Sequence, residues 1–317
     1  MSINSNRNGR AYEFAFLAAL KMSIAKIRKV SIREDKNFQS AERAFNEISD
    51  DNKRIYTLSA LSAIHKLFEL EPRILENGND TLELYVQADK KGGDGDVRDI
   101  VIARKDIAWE IGLSVKHNNF AVKHSRVSNR LDFGKKWYGI PCSKEYWTEV
   151  KPVFDMLVQK KSAHIKFDNI TDKDLTVYVP ILNAFVNEIK RQTANHPELP
   201  VKLVEYLLGK YDFYKVISID NRRMSKIQSF NLHGTLNLSG RTMASDVEIP
   251  IVELPKRIIA FEFKPNSTNT LELYMDGGWQ FTFRIHSGDS IACPSLKFDV
   301  QVVGMPTTIL TLNCLWN

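Results

Sequence analysis

The chain has 317 residues, 43% hydrophobic and 26% charged, which is enough to bury a full core and to form two domains or one elaborated domain. It contains no run of about 18 apolar residues, and MSINSNRNGR lacks the apolar stretch of a signal peptide, so a membrane span is excluded and a cytoplasmic protein is expected. The 44 Lys and Arg outnumber the 38 Asp and Glu, giving +6 and a pI near 9.0, a balance that favours a polyanionic partner. Cys142, Cys293 and Cys314 have no CxxC spacing and read as reduced thiols rather than a disulfide framework or a zinc knuckle.

In chain order, apolar positions at helical spacing over residues 10–30, with Lys21, Lys26, Arg28 and Lys29 at the C-terminal end, predict a first helix. Ser40 ahead of Glu42 marks a second start, and a long pattern from Asp51 to Leu70 stops before Pro72, so residues 1–75 read as helical. Thr81 to Asp89 reads as a strand, followed by the loop KKGGDGD and a hairpin of DIVIAR and IAWEIGLSVK joined by a polar turn at Lys105 and Asp106. NNFAVKHSRVSNRLDF is expected to be a helix, which gives an αβββα order.

Residues 144–210 carry helical patterns broken at HPELP, and from Tyr211 the chain turns β-rich, with a hairpin-type turn at Asp276-Gly277-Gly278. The expected fold class is mixed α+β. Its expected parts are a core with N-terminal helices over 1–143, a helical region over 144–210 and a β-rich region over 211–317.

The hairpin is where chemistry gathers. Trp109, Ile111, Leu113 and Val115 alternate with Glu110, Gly112, Ser114 and Lys116, so one face is apolar and the other polar. If Arg104 and Ile107 pair across the turn, Asp99 falls opposite Gly112, on the face of Glu110, Ser114 and Lys116. Acidic groups and a lysine on adjacent strands can hold Mg²⁺ against a phosphate while the ammonium orients an attacking water, which is phosphodiester chemistry.

RDIVIA followed by SVKHNN resembles the PD-(D/E)xK nuclease core. NGRAYEFAFL, GDVRDIVI and EIGLSVKHNNFAVKHSR, in that order, resemble the HaeIII-type restriction endonucleases. The resemblance implies a magnesium-dependent endonuclease cutting double-stranded DNA at GGCC, in a restriction-modification system with a cognate DNA methyltransferase. Asp99 and Lys116 take the places of the aspartate and lysine. Arg98 stands where proline is usual, and Ser114 stands where a second carboxylate is expected.

Glu110 is the first substitute for that carboxylate, yet six residues of strand put it about 20 Å from Lys116 unless the strand bends at Gly112. Asp96, Glu83 and Glu13 are further candidates. The expected catalytic set is therefore Asp99, Lys116, Glu110, Ser114 and Glu13, with Asp99 and Glu110 on the metal.

Phosphate and base contacts are expected from His117, Asn118, Asn119, Lys123, His124, Arg126 and Arg130 after the hairpin, and from Arg222, Arg223, Lys226, Arg284 and His286 in the β-rich region. Either a monomer or a homodimer is compatible with a palindromic site. Two other readings share these residues: a repair or junction-resolving nuclease that reads DNA shape, and a DNA-binding protein that has lost catalysis at Ser114.

Overall fold

The structure is a computed structural model; it describes residues 3–88, 95–119, 121–238 and 247–316. The chain forms two compact units, each made of discontinuous segments. The first comprises Met1–Phe120, Gly209–Glu253 and Thr307–Asn317; the second comprises Ala121–Leu208 and Leu254–Pro306. The boundaries expected near Ser143 and Tyr211 instead cut the chain into three consecutive parts.

In the first unit three helices open the chain: α1 (Ile3–Ile24), α2 (Lys36–Asn46) and α3 (Asp50–Leu70). The Asp35 carboxylate accepts hydrogen bonds from the backbone N–H of Asn37 and Phe38, and the Ser49 hydroxyl accepts from that of Asn52, so α2 and α3 start on N-caps. The expected helix over 10–30 ends earlier, and the β-branched Val30–Ile32 pairs instead as strand β1.

The strands β2 (Leu82–Val86), β3 (Ile100–Arg104), β4 (Trp109–His117), β6 (Phe213–Ile219), β7 (Met224–Phe230) and β12 (Thr311–Leu315) complete a seven-stranded sheet in the order β1-β2-β3-β4-β6-β7-β12. β4 and β6 run parallel, a pairing that needs a long crossover, and the chain passes through the second unit between them. The helices cover one face of this sheet: Tyr12, Phe16, Leu20, Ala60, Ile64 and Leu67 form one core with Ile100, Ile102, Ile111, Leu113, Val115, Tyr214 and Val216. Side chains alternate along a strand, so the residues between those core positions face the other side.

The second unit holds a five-stranded antiparallel sheet, β5 (Ala121–Ser128), β11 (Ser295–Gly304), β10 (Gln280–Ser287), β9 (Thr270–Met275) and β8 (Ile258–Phe263), in that order. It also holds helices α4 (Phe133–Trp137), α5 (Lys144–Ser162), α6 (Val179–Asn195) and α7 (Leu199–Leu208). Its core is aromatic, with the Phe185 ring 5.6, 5.9 and 5.0 Å from those of Phe261, Phe283 and Phe298.

The mixed α+β class matches expectation, as do the helices of 144–210 and the strands that follow Tyr211. The helix expected after the hairpin is absent: residues 121–128 are strand β5. Ser125 and Val127 point inward while His124 and Arg126 point out, a period of two rather than 3.6.

Candidate active site

The β3–β4 hairpin forms as expected, but its register differs. The turn takes the four residues Lys105 to Ala108, with Ala108 in the left-handed region at φ 51°, so Arg104 pairs with Trp109. Ile100 pairs with Leu113, and the Asp99 N–H donates to the Leu113 carbonyl at 2.8 Å. Asp99 therefore lies level with Ser114 rather than with Gly112, two residues nearer to Lys116 than the sequence implied.

That shift assembles a compact site. The Asp99 carboxylate accepts from the Val115 N–H at 2.8 Å, the Ser114 hydroxyl at 3.2 Å and the Lys116 ammonium at 2.9 and 3.2 Å. The side chains of Asp99 and Lys116 keep 19% and 27% of their exposure, which leaves the pair open to a substrate phosphate.

The parallel strand β6 adds a group that sequence reasoning missed. Ser114 is paired with Lys215, and Lys215 in turn with Gln228 of β7, so these side chains share the face of Asp99. Lys215 is 3% exposed; burial pulls its ammonium down to about 7, the charge of Lys116 pulls the same way, and Asp99 opposes both. The available signal was a lysine inside FYKVISI, a strand whose other residues are apolar, aromatic or the small Ser218.

Glu110 is placed elsewhere. It pairs with Ala103, four strand residues and about 13 Å from Ser114, and β4 continues through Gly112 as one strand. Arg98, standing where proline is usual, binds it: Arg98 Nη1 donates to Glu110 at 2.7 Å, while Nε and Nη2 donate to the two oxygens of Asp96 at 2.8 and 2.9 Å. The Arg98 chain crosses directly over Gly112, where an added Cβ would lie 1.8 Å from Arg98 Cδ, and its guanidinium covers the Tyr211 ring at 4.1 Å. Gly112 is thus an arginine crossing point.

The remaining carboxylate candidates also have partners. Glu83 is bound by Arg33 and Lys105. Glu13 pairs with Arg10 at 3.0 Å on α1, the helix packed on the opposite, apolar face of β4. Among the described residues no three His, Cys, Asp or Glu side chains cluster as a metal site. One carboxylate with an adjacent hydroxyl still fits Mg²⁺, which keeps several waters and takes the rest of its ligands from a substrate phosphate.

The expected nucleic-acid contacts separate into two groups. In the first unit Lys226 shares the face of Lys116 through Ile217, two strands away, and the exposed Arg222 and Arg223 form the β6–β7 turn. His117 turns to the helical side, bound to Asp220 at 2.6 Å and Tyr56 at 3.3 Å; Asn118 also binds Asp220, and Asn119 follows, partly exposed.

In the second unit His124, Arg126, Arg284 and His286 share the outer face of the sheet with Lys297, a further cation that sequence reasoning passed over. Asp299 lies among them, accepting from His124 and Arg284 at 2.7 Å each, and these donors hold its carboxyl well below the usual range. Arg130 is exposed just after β5. Lys123 points to the other side and donates to the Tyr206 carbonyl at 2.6 Å.

A carboxylate and a lysine side by side on adjacent strands of a helix-backed sheet are able to act on a phosphodiester, and comparison with known proteins shows the family of the whole chain. The chain belongs to the HaeIII restriction endonuclease family, whose model matches residues 9–306. It is 48% identical to the type II restriction enzyme HaeIII of Haemophilus aegyptius over 317 residues, 100% of this chain and 99% of the relative. No solved structure matches the chain. Membership makes it a site-specific deoxyribonuclease that acts on double-stranded DNA.

Proposed function

We propose that the protein hydrolyses both strands of DNA at GGCC, with Mg²⁺ as its metal and Asp99 and Lys116 as its central catalytic pair. The observation that carries this reading is the Asp99 carboxylate, fixed by Val115 and Ser114 and bridged by Lys116 at an open position of the sheet. The recognition sequence rests on the resemblance to HaeIII-type enzymes.

Asp99, with the Ser114 hydroxyl beside it, would hold the cation. When bound, a divalent ion supplies an activated water and stabilises charge on the leaving oxygen. The backbone N–H of Val115 and the Ser114 hydroxyl keep the carboxylate in one orientation, which spares reorganisation during the reaction. Lys116 leaves Asp99 and turns its ammonium to a non-bridging phosphate oxygen, aligning the phosphorus for in-line attack. Arg98 keeps Glu110 and Asp96 away from this centre.

Lys226 extends the cationic track on the same face, and the outer face of the second unit's sheet offers Arg126, Arg284 and Lys297 to the DNA backbone. A cognate methyltransferase protecting GGCC in the same cytoplasm completes this reading.

The test is digestion of a sequenced plasmid with Mg²⁺, followed by run-off sequencing of the ends. Cuts confined to GGCC are expected. Cuts at branched or damaged DNA without sequence preference would favour a structure-selective nuclease, and binding without cleavage would favour an inactive DNA-binding protein.

A further inference from the structure

The nuclease reading needs the Lys116 ammonium at one place beside Asp99, yet the strand that carries it is supported unevenly. β3 pairs with β4 only as far as Leu113, whereas Val115, Lys116 and His117 are paired with Val216, Ile217 and Ser218 of β6. β4 and β6 are parallel, so no tight turn joins them, and they meet only after the chain has passed through the second unit. A strand end paired on one side is the first part of a sheet to fray.

One side chain closes that end. Asp220 opens the β6–β7 turn, and its Oδ2 lies 2.6 Å from His117 Nε2 and accepts from Asn118 Nδ2 at 3.0 Å, while its Oδ1 accepts from the Ser218 hydroxyl at 2.8 Å. Its N–H donates to Asn118 Oδ1 at 3.1 Å, and the Asn118 N–H donates to the Ser218 carbonyl at 2.9 Å. Asn118 reaches this position with a left-handed backbone, φ 49°, which asparagine tolerates. On the helical side His117 Nδ1 lies 3.3 Å from the Tyr56 hydroxyl of α3, which braces the clamp against the core. His117 and Asn118 are the two residues after Lys116, so the clamp holds the strand immediately beyond that amine.

We infer that Asp220 is a positioning residue, which locks the exits of β4 and β6 together and so fixes where Lys116 presents its ammonium to Asp99 and the phosphate. This rests on the nuclease reading above.

The experiment measures single-turnover cleavage of a GGCC duplex in Mg²⁺, duplex binding in Ca²⁺ and amide hydrogen exchange, all on the full-length protein. Asp220→Ala is expected to cut about ten-fold or more slowly at saturating enzyme, with duplex affinity within about two-fold of wild type, because a small misplacement of a positioning group costs rate rather than binding. Its exchange should rise at residues 115–118 and stay unchanged in β2. Asp220→Asn keeps an oxygen for His117 and Asn118 and an amide for the Ser218 hydroxyl, so it should cut within about three-fold of wild type. Loss of a merely structural aspartate would lower the melting temperature without slowing cleavage well below it. If Asp220→Ala does not fold, Asn118→Gly is measured in the same way, since glycine keeps the left-handed backbone and removes the ties from the other side.

Cleavage by Asp220→Ala at the wild-type rate, Asp220→Asn as slow as Asp220→Ala, slow cleavage with unchanged exchange, or a loss of duplex affinity as large as the loss of rate would each overturn the inference while leaving the nuclease reading intact. Wild type that fails to cleave GGCC DNA, or Asp99→Ala that still cleaves it, would overturn the nuclease reading and this inference with it.

Discussion

The protein has two sheets, and their polar faces are built differently. On the seven-stranded sheet the groups around Asp99 are fixed: Asp99 has three donors, Ser114 and Lys215 are nearly buried, and Lys116 keeps 27% of its side-chain exposure. On the five-stranded sheet they are more numerous and more exposed: Arg284 keeps 59% of its side-chain exposure and Arg126 is open, beside Asp299, with Glu272 and Glu262 farther along the same face. Chemistry requires preorganised charges in a water-poor setting, whereas grip on a polyanion requires accessible cations. The first face suits bond cleavage and the second suits DNA binding, so the two should fail separately.

Asp99→Ala should have the largest effect, reducing cleavage on the order of 10³-fold or more in single-turnover assays because the carboxylate that Lys116 bridges is removed. Duplex affinity measured in Ca²⁺-free buffer should change little. Arg126→Ala combined with Arg284→Ala should weaken duplex binding about ten-fold and flatten the salt dependence by about 0.9 for each phosphate that is no longer neutralised. Its cleavage rate at saturating enzyme should stay near that of wild type.

Gly112→Ala should act through Arg98, whose chain occupies the space of the new methyl. Displacing it frees Asp96 and Glu110, with an expected cost of about 1–3 kcal/mol in denaturant unfolding. The smallest effect concerns Glu71, distant in role from either face. Burial pushes its carboxyl from the ordinary 4.5 up to about 7, although Tyr214 and the Asn237 N–H donate to Oε1 at 2.7 and 2.6 Å. A folded-state value above the unfolded one means that the contribution is complete below 4.5 and lost as pH rises through 7. Glu71→Gln should therefore melt at a higher temperature than wild type at pH 8, with the difference shrinking toward pH 5.

Much of the first face was legible in the sequence. Alternation from Trp109 to Lys116 gave the strand and its polar side, and an aspartate opening IVIA gave Asp99. The register was not legible, because it depends on Ala108 adopting a left-handed conformation that its side chain does not announce. Glu110 was read as a neighbour of Asp99 for that reason. Its actual partner, Arg98, appeared in the sequence only as a missing proline.

Lys215 was hidden differently: it reaches the site through a parallel pairing across a long chain excursion, and one sequence contains no record of which distant strand will pair. The outer face of the second unit was partly visible as His124, Arg126, Arg284 and His286. Their shared face was not, because VKHSRVS reads as a basic helix until its period of two is counted.

The central claim, that Asp99 and Lys116 cut while the second unit's outer face grips, is tested most directly by one paired measurement on a GGCC duplex. Single-turnover cleavage in Mg²⁺ and equilibrium binding without catalytic metal are determined for wild type, Asp99→Ala and the Arg126→Ala/Arg284→Ala double variant. The account predicts that Asp99→Ala binds but does not cut, and that the double variant binds weakly but cuts at the wild-type rate once saturated. Cleavage by Asp99→Ala at the wild-type rate would contradict it.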